Sequence, residues 1–348
     1  MSGEIFPIIR MLFFATLAFV VAIIWTPILT HFLYKYKLGK QIKAEGNTPI
    51  FTSLHMKKEG TPTMGGVLVW VTVAGLAVGF WLLAKAVGPN NFLFDFNFLT
   101  RKQTLLPLGI LVFSAIIGLA DDLIGIFKKR GFRLRQRTII FTLIAIVGAL
   151  WFYFKLDWDL MHIPFIGDFN IGWLYIPIFI FIITAAAFSA NETDGLDGLA
   201  GGVLLVAFLA YTIISYSQGR LELATFCAAI VGALLAFLWF NIYPARFFMG
   251  DTGSMSLGTT LGVIAMLTNS ALFLLFIGFI LLIESLSVII QVGHKKILHK
   301  KLFLSAPLHH HLEAKGWPET KVTMRFWIIA GVMATIGLIL YFIDARLF

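Results

Sequence analysis

Long apolar runs, each near the roughly 20 residues that a helix needs to cross a hydrocarbon core, constrain this chain more than any other feature. Ten of them fall at about 8–34, 65–87, 104–120, 138–155, 172–190, 200–216, 222–240, 253–268, 270–293 and 323–345. Hydrocarbon offers no water to the backbone, so each run has to satisfy its own N–H and C=O groups, as an α-helix does. The expected fold is all-α, a polytopic integral membrane protein of about ten transmembrane helices, with residues 1–348 forming one transmembrane domain. The chain is 59% hydrophobic and 13% charged, whereas soluble domains lie near about 45–50% and about 25%. A net charge of +9 would suggest nucleic acid in a soluble protein. In a membrane protein an excess of Lys and Arg reflects topology and anionic lipid.

Orientation follows from where those cations fall. With both termini outside, the inner segments 35–64, 121–137, 241–252 and 291–321 carry 19 of the 27 Lys and Arg, and the outer positions carry 7. Arg325 opens the last span. Short cytoplasmic loops are the basic ones, so both termini are expected outside. The first run, from Ile5 to Tyr34, is too long for a secretory h-region and lacks a small-residue cleavage site, so it is expected to be the first span. The single cysteine, Cys227, lies in an apolar run and is expected to be a small buried hydrophobe. It excludes an intramolecular disulfide and any multi-cysteine metal site.

An ionised Asp at mid-bilayer costs about 2.5–3.5 kcal/mol even on insertion scales, so the positions of the aspartates carry information. Asp121 and Asp122 end the third run, Asp194 and Asp197 follow the fifth, and Asp251 follows the seventh. All five fall on the inner face by the charge count. Asp95, Asp157, Asp159, Asp168 and Asp344 fall outside and read as ordinary solvated residues. Five gathered carboxylates raise one another's pKa unless a cation compensates. Lys and Arg from the loops could do so, and an all-oxygen set also suits Mg²⁺, which takes one or two carboxylates and keeps sites for water and phosphate.

Four motifs surround these aspartates. The stretch from Lys57 and Lys58 through Thr61, Thr63 and Gly66 precedes the second run. Thr61 or Thr63 could cap that helix, whose N-terminus would attract a phosphate. A basic inner loop with a helix cap accounts for the same residues. Asn191-Glu192-Thr193-Asp194-Gly195-Leu196-Asp197-Gly198 carries two aspartates three apart, a spacing that would put both on one side of a helical turn. Asn241 to Ser254 includes Phe247, Phe248 and Asp251. There Asp251 would open the eighth helix, and a phenylalanine could stack on a base or anchor at the lipid interface. His309, His310 and His311 precede Glu313. Adjacent histidines point different ways, and no Cys or HExxH pattern accompanies them, so phosphate or nucleotide contact is expected before zinc. Glu284 and Gln291 share one face of the ninth run, and an intramembrane Glu is either functional or bonded to another helix. The lack of an internal repeat weakens a transporter reading, as does the placing of acids at span ends.

Taken in order, Gly60-Thr61-Pro62-Thr63-Met64-Gly65-Gly66, the Asp121-Asp122 pair, Asn191 to Ala200, Phe248-Met249-Gly250-Asp251-Thr252-Gly253-Ser254 and Pro307 to Glu313 resemble the polyprenyl-phosphate N-acetylhexosamine-1-phosphate transferases. The likeness covers about Lys57 to Trp327. The triple histidine followed by Lys315-Gly316-Trp317-Pro318-Glu319 resembles the phospho-N-acetylmuramoyl-pentapeptide transferase branch. The resemblance implies a Mg²⁺-dependent enzyme of the bacterial cytoplasmic membrane with its site facing the cytoplasm, usually a homodimer. It would move phospho-MurNAc-pentapeptide from UDP-MurNAc-pentapeptide to undecaprenyl phosphate, giving lipid I and UMP in peptidoglycan synthesis. A sister enzyme moving GlcNAc-1-phosphate onto a polyprenyl phosphate is the alternative. By motif, Asp251 resembles the metal ligand and Asp121 and Asp122 the catalytic pair. Lys58, Thr63, Asn191, Asp194, Asp197, Asn241, Phe248 and Gln291 resemble the uridine-diphosphate pocket, with His309, His310 and His311 at its rim. The chain departs from the family pattern at Glu192, where an aliphatic residue is usual, and at Leu123, where an aromatic is common. Gly125 replaces a frequent lysine, whose charge Lys128 or Arg137 could supply.

Overall fold

The structure is a computed structural model that describes residues 2–39, 58, 60–128, 131–132 and 134–347. Lys57 and Glu59 of the first motif lie outside the described residues. The long helices are α1 (Ser2–Lys35), α2 (Val67–Val87), α3 (Leu105–Phe127), α4 (Leu134–Lys155), α5 (Tyr175–Thr193), α6 (Leu199–Ser217), α7 (Leu221–Asn241) and α8 (Asp251–Leu267). A short α9 (Leu274–Ile277) and α10 (Phe279–Leu298) follow, then α11 (Leu308–Ala314) and α12 (Glu319–Asp344). Among the described residues, eight helices are long and apolar enough to cross a membrane. The expected ninth span, 270–293, is a bent pair, with Ala271–Ile277 meeting Phe279–Leu298 at 86°. The expected eighth is α8, only 17 residues long and buried from Thr252 to Leu267.

Burial explains how so apolar a chain packs. Helices α6, α7 and α8 form most of the interior, while Ile24, Val147, Phe181 and Ile328 stand exposed on the outer helices as a lipid-facing surface requires. Lipid supplies no hydrophobic drive between helices, so close packing and hydrogen bonds hold them. At Gly118 of α3 an added Cβ would collide with the Asp251 carbonyl and come within 2.7 Å of Thr252 Cα. That glycine lets α3 cross directly over the start of α8. Helix α8 is rich in hydroxyls, yet Ser254, Ser256, Thr259 and Thr260 each donate to the carbonyl four residues back, and Thr252 Oγ1 donates to Ala115 O of α3 at 2.8 Å. The buried polar groups are thereby satisfied.

The segments expected outside meet at one end of the bundle. Arg10 donates to Asp95 O, Gln218 to Thr268 O, and Gln103 accepts from Leu223 N. At the same end lies a feature the apolar runs did not signal, an antiparallel hairpin of β1 (Leu160–Ile163) and β2 (Gly167–Asn170). Its His162 contacts Asp168 (2.8 Å) and Asp344 (2.5 Å), and Asp344 also accepts from Phe165 N. Asp344 is therefore buried and bonded rather than solvated, because the hairpin folds over the end of α12. Cys227 is fully buried, as expected.

Candidate active site

The opposite end of the bundle gathers the inner aspartates, and each has distinct partners. Helix α3 continues to Phe127, beyond the expected boundary at 120, so Asp121 and Asp122 lie within it rather than at its end. Consecutive residues of a helix project about 100° apart. Asp122 turns to α8, where its two oxygens accept from Asp251 N (3.2 Å) and Thr252 N (3.1 Å). It thus caps the helix whose first residue is Asp251, and the dipole there favours the charge. Asp121 turns to α4 and accepts from Phe132 N at 2.5 Å. Its other oxygen meets Arg137 Nε at 2.6 Å.

Arg137 joins the group from the first turns of α4. Its second guanidinium nitrogen lies 2.6 Å from Asp251 Oδ2, and its third donates to Asn191 Oδ1 at 3.4 Å. Asn191 in turn donates to Asp251 Oδ1 (2.7 Å) and to Ser254 Oγ (3.2 Å). One cation therefore bridges two carboxylates from α3 and α8, offsetting part of their charge, and Arg137 is the cation that does so. Glu192, beside Asn191, is half-buried within electrostatic reach of His309, Arg137, Glu284 and Asp251.

The turn after α5 organises the rest. Asp194 ends that helix, and Gly198 takes a left-handed conformation (φ 77°) before α6. The chain is thus not helical between Asp194 and Asp197, and the expected shared face does not form. Asp194 accepts from Gly250 N (3.1 Å). Asp197 instead accepts from Lys58 Nζ (2.6 Å) and Ala245 N (3.0 Å). Asn241, fully inside, accepts from Gly198 N and donates to Phe247 O, stitching this turn to the loop before α8. Gly250 has φ 73°, and a Cβ there would lie 2.6 Å from Asp122 Oδ2 and 2.7 Å from Thr63 Oγ1, so only glycine fits between these groups.

Lys58 lies near Phe248, its Nζ 5.8 Å from the ring centroid. It also bonds Glu319 Oε1 at 2.5 Å, an oxygen that accepts from Asp197 N as well. Phe248 is half-buried at the site, whereas Phe247 packs in the core against Phe237 and Phe240. Neither Thr61 nor Thr63 caps α2. Gly66 takes that position, and Gly65 N and Gly66 N donate to the carbonyls of Phe248 and Met249. Those N–H groups are committed to the protein, so neither the threonine cap nor the phosphate seat that the sequence left open forms there. Thr63 is buried beneath the loop.

Gln291 is not brought to the aspartates. It clamps the inner loop, accepting from Leu302 N and Phe303 N and donating to Phe303 O. The three histidines of α11 diverge. His309 is wholly buried and pairs with Glu284 through Nδ1 at 2.9 Å. His310 pairs with Glu313 at 2.8 Å. His311 is partly exposed and accepts from Leu304 N through Nδ1. Partial burial and Lys315 hold its pKa below the ordinary value, which suits that accepting nitrogen. Glu284 and Glu319 were the partners that sequence reasoning left unassigned. Glu284 was legible as an acid inside an apolar run, while Glu319 stood in the Lys315–Glu319 motif with no role attached to it.

Among the described residues no three His, Cys, Asp or Glu side chains surround a common point as in a protein-only metal cage. Mg²⁺ needs no such cage where substrate phosphates complete its shell. Asp121 and Asp251 both close to 2.6 Å on one guanidinium, and this pair of hard oxygen donors around one positive charge fits such an ion.

Comparison with known proteins bears on this geometry. Residues 104–269 match the sequence model described as glycosyl transferase family 4. Residues 58–68 match phospho-N-acetylmuramoyl-pentapeptide-transferase signature 1. A phospho-N-acetylmuramoyl-pentapeptide-transferase of Chloroflexus aggregans is 39% identical over 94% of this chain and 89% of its own length. Proteins of that name from Geobacillus thermodenitrificans and Clostridium perfringens are 36% and 39% identical, each over 92% of this chain and 94% of their own.

Proposed function

The chain belongs to the phospho-N-acetylmuramoyl-pentapeptide-transferase family, and from that premise we propose that it moves phospho-MurNAc-pentapeptide from UDP-MurNAc-pentapeptide to undecaprenyl phosphate. The products are lipid I and UMP, made at the cytoplasmic face of the cell membrane in peptidoglycan synthesis. The observation that carries the reading is the convergence of Asp121, Asp251 and Asn191 on Arg137 at the basic end of the bundle.

The reaction brings a lipid phosphate oxygen to the β-phosphate of a nucleotide sugar, so two anions must meet. Like unit charges 4 Å apart repel by about 4 kcal/mol at an effective dielectric of 20. Lys58 and Arg137 both lie at this end, and each offsets that repulsion fully only after leaving its two carboxylates. Mg²⁺ held by Asp251, with Asp121 beside it, would neutralise the diphosphate and the departing UMP. The two aspartates of α3 have unequal freedom. Asp122 is tied by backbone N–H groups and keeps α8 in place. Asp121 has one oxygen held by Phe132 N and the other by the Arg137 side chain, which can swing away, so that second oxygen orients the lipid phosphate and accepts its proton. The turn from Asp194 to Gly198 and the Lys58–Asp197–Glu319 cluster form the nucleotide side, with Phe248 able to stack on the base.

Purified protein incubated with undecaprenyl phosphate and either UDP-MurNAc-pentapeptide or UDP-GlcNAc tests the reading. UMP should be released with the former, and release should stop when EDTA is added. Turnover with UDP-GlcNAc alone would replace this proposal with the sister reaction, and turnover that EDTA leaves unchanged would remove the metal from it.

A further inference from the structure

We propose that Glu284 is a positioning residue that fixes the proton of His309 on Nδ1, so that Nε2 is the ring atom presented to the Asp194–Asp197 turn. Three observations carry this. Glu284 and His309 are both wholly buried. The carboxylate lies 2.9 Å from Nδ1 and also receives the His309 backbone N–H at 3.2 Å, which seats the ring in one orientation. Nε2, buried as well, has no hydrogen-bond partner among the described residues. Such an orphan is uncommon in a native interior and asks for a ligand.

The place where Nε2 points identifies that ligand's side. A Cβ at Gly195 would overlap Nε2, so the Nε2 edge of the imidazole abuts the turn that joins Asp194 to Asp197. Helix α10, which carries Glu284, is held to α5 by Ser189 and Ser285 at 2.8 Å. The carboxylate and the turn therefore belong to one rigid seat. Other titratable groups facing the ring are Glu192 from α5 and His310 on its own helix, with ring centroids 4.1 Å apart. A carboxylate that accepts from Nδ1 leaves Nε2 as the nitrogen that gains or gives a proton, the arrangement by which carboxylates orient working histidines. At this turn the fitting ligand is a phosphoryl oxygen of the nucleotide diphosphate. This step rests on the proposed transferase reading, whereas the tautomer itself does not.

Two measurements separate those claims. In ¹⁵N-histidine-labelled protein without substrate, the buried His309 ring should carry its proton on Nδ1. Glu284→Leu should move it to Nε2, and Glu284→Gln, whose amide oxygen can still accept, should keep most of it on Nδ1. In turnover assays Glu284→Leu should lower kcat by at least about tenfold, as loss of an orienting carboxylate does. Glu284→Gln should recover part of that, and Glu284→Leu added to His309→Gln should cost less than a further twofold. A wild-type ring protonated on Nε2, or losses that multiply in the double variant, overturns the proposal. Should Glu284→Leu not fold, the wild-type tautomer and the Glu284→Gln kinetics decide it. If the tautomer is as stated but no nucleotide sugar turns over, the transferase reading fails and the dyad stands.

Discussion

Arg137 reaches two carboxylates that belong to helices 130 positions apart in sequence, Asp121 and Asp251. The sequence made both aspartates conspicuous because acids are rare near apolar runs. It could not say which cation answers them, since Lys128 is the nearer to Asp121 in the chain and only the fold of α4 back onto α3 chooses Arg137. The same limit hid the division of labour in the Asp121–Asp122 pair, which depends on where α8 begins. It also hid Glu319, whose partners Lys58 and Asp197 arrive from distant segments. A residue-scale test follows from the bridge. Arg137→Gln leaves two carboxylates facing each other, at a cost of about 1–3 kcal/mol between the exposed and buried limits for an ion pair. The melting midpoint of the variant should fall in EDTA and recover on adding Mg²⁺, by more than the wild type gains, because a divalent ion replaces the lost charge. A variant no more responsive to Mg²⁺ than the wild type would show that the two carboxylates are not a shared cation seat.

Helices were the most legible elements, because a run of apolar residues long enough to span a bilayer has little choice of structure. Their ends were less so. Helix α3 continues past Asp121 because that carboxylate is bonded, so the charge no longer marks a boundary. The break between α9 and α10 lies inside an apolar run, where hydropathy is blind to a bend of 86°. The hairpin at 160–170 was too short and mixed to register against the spans. Helix α8 shows how composition encodes packing. Its Gly258 faces α5, where an added Cβ would lie 2.5 Å from Ala186 O and 2.6 Å from Ala190 Cβ. Backbone on one side and a packed methyl on the other cannot yield cheaply, so Gly258→Ala should destabilise the fold by about 1–3 kcal/mol, the usual cost of overpacking. Thermal unfolding in detergent measures it. An unchanged midpoint would mean that α5 and α8 are not held at this separation.

For the whole molecule, the basic residues and the contacts between loops sort the segments into the same two ends by independent routes. The count of Lys and Arg places 19 on the inner segments and 7 outside. The contacts join the supposedly outer segments at one end, through Arg10 to Asp95 and His162 to Asp344. At the other end Lys58, Arg137 and Asp251 meet. Charge bias sets orientation during insertion, while the contacts form only after the helices have packed, so neither presupposes the other. The natural chain simplifies the test, because Cys227 is its only thiol and is fully buried. Ile166→Cys places a thiol at the exposed hairpin, and Lys300→Cys places one in the last basic loop. In intact cells, with access through the outer envelope, a membrane-impermeant maleimide should label the first variant and spare the second. Permeabilised cells should label both. The reversed pattern would put the aspartates and Arg137 on the outer side, where nucleotide sugars made in the cytoplasm cannot reach them, and the proposed reaction would fall with the topology.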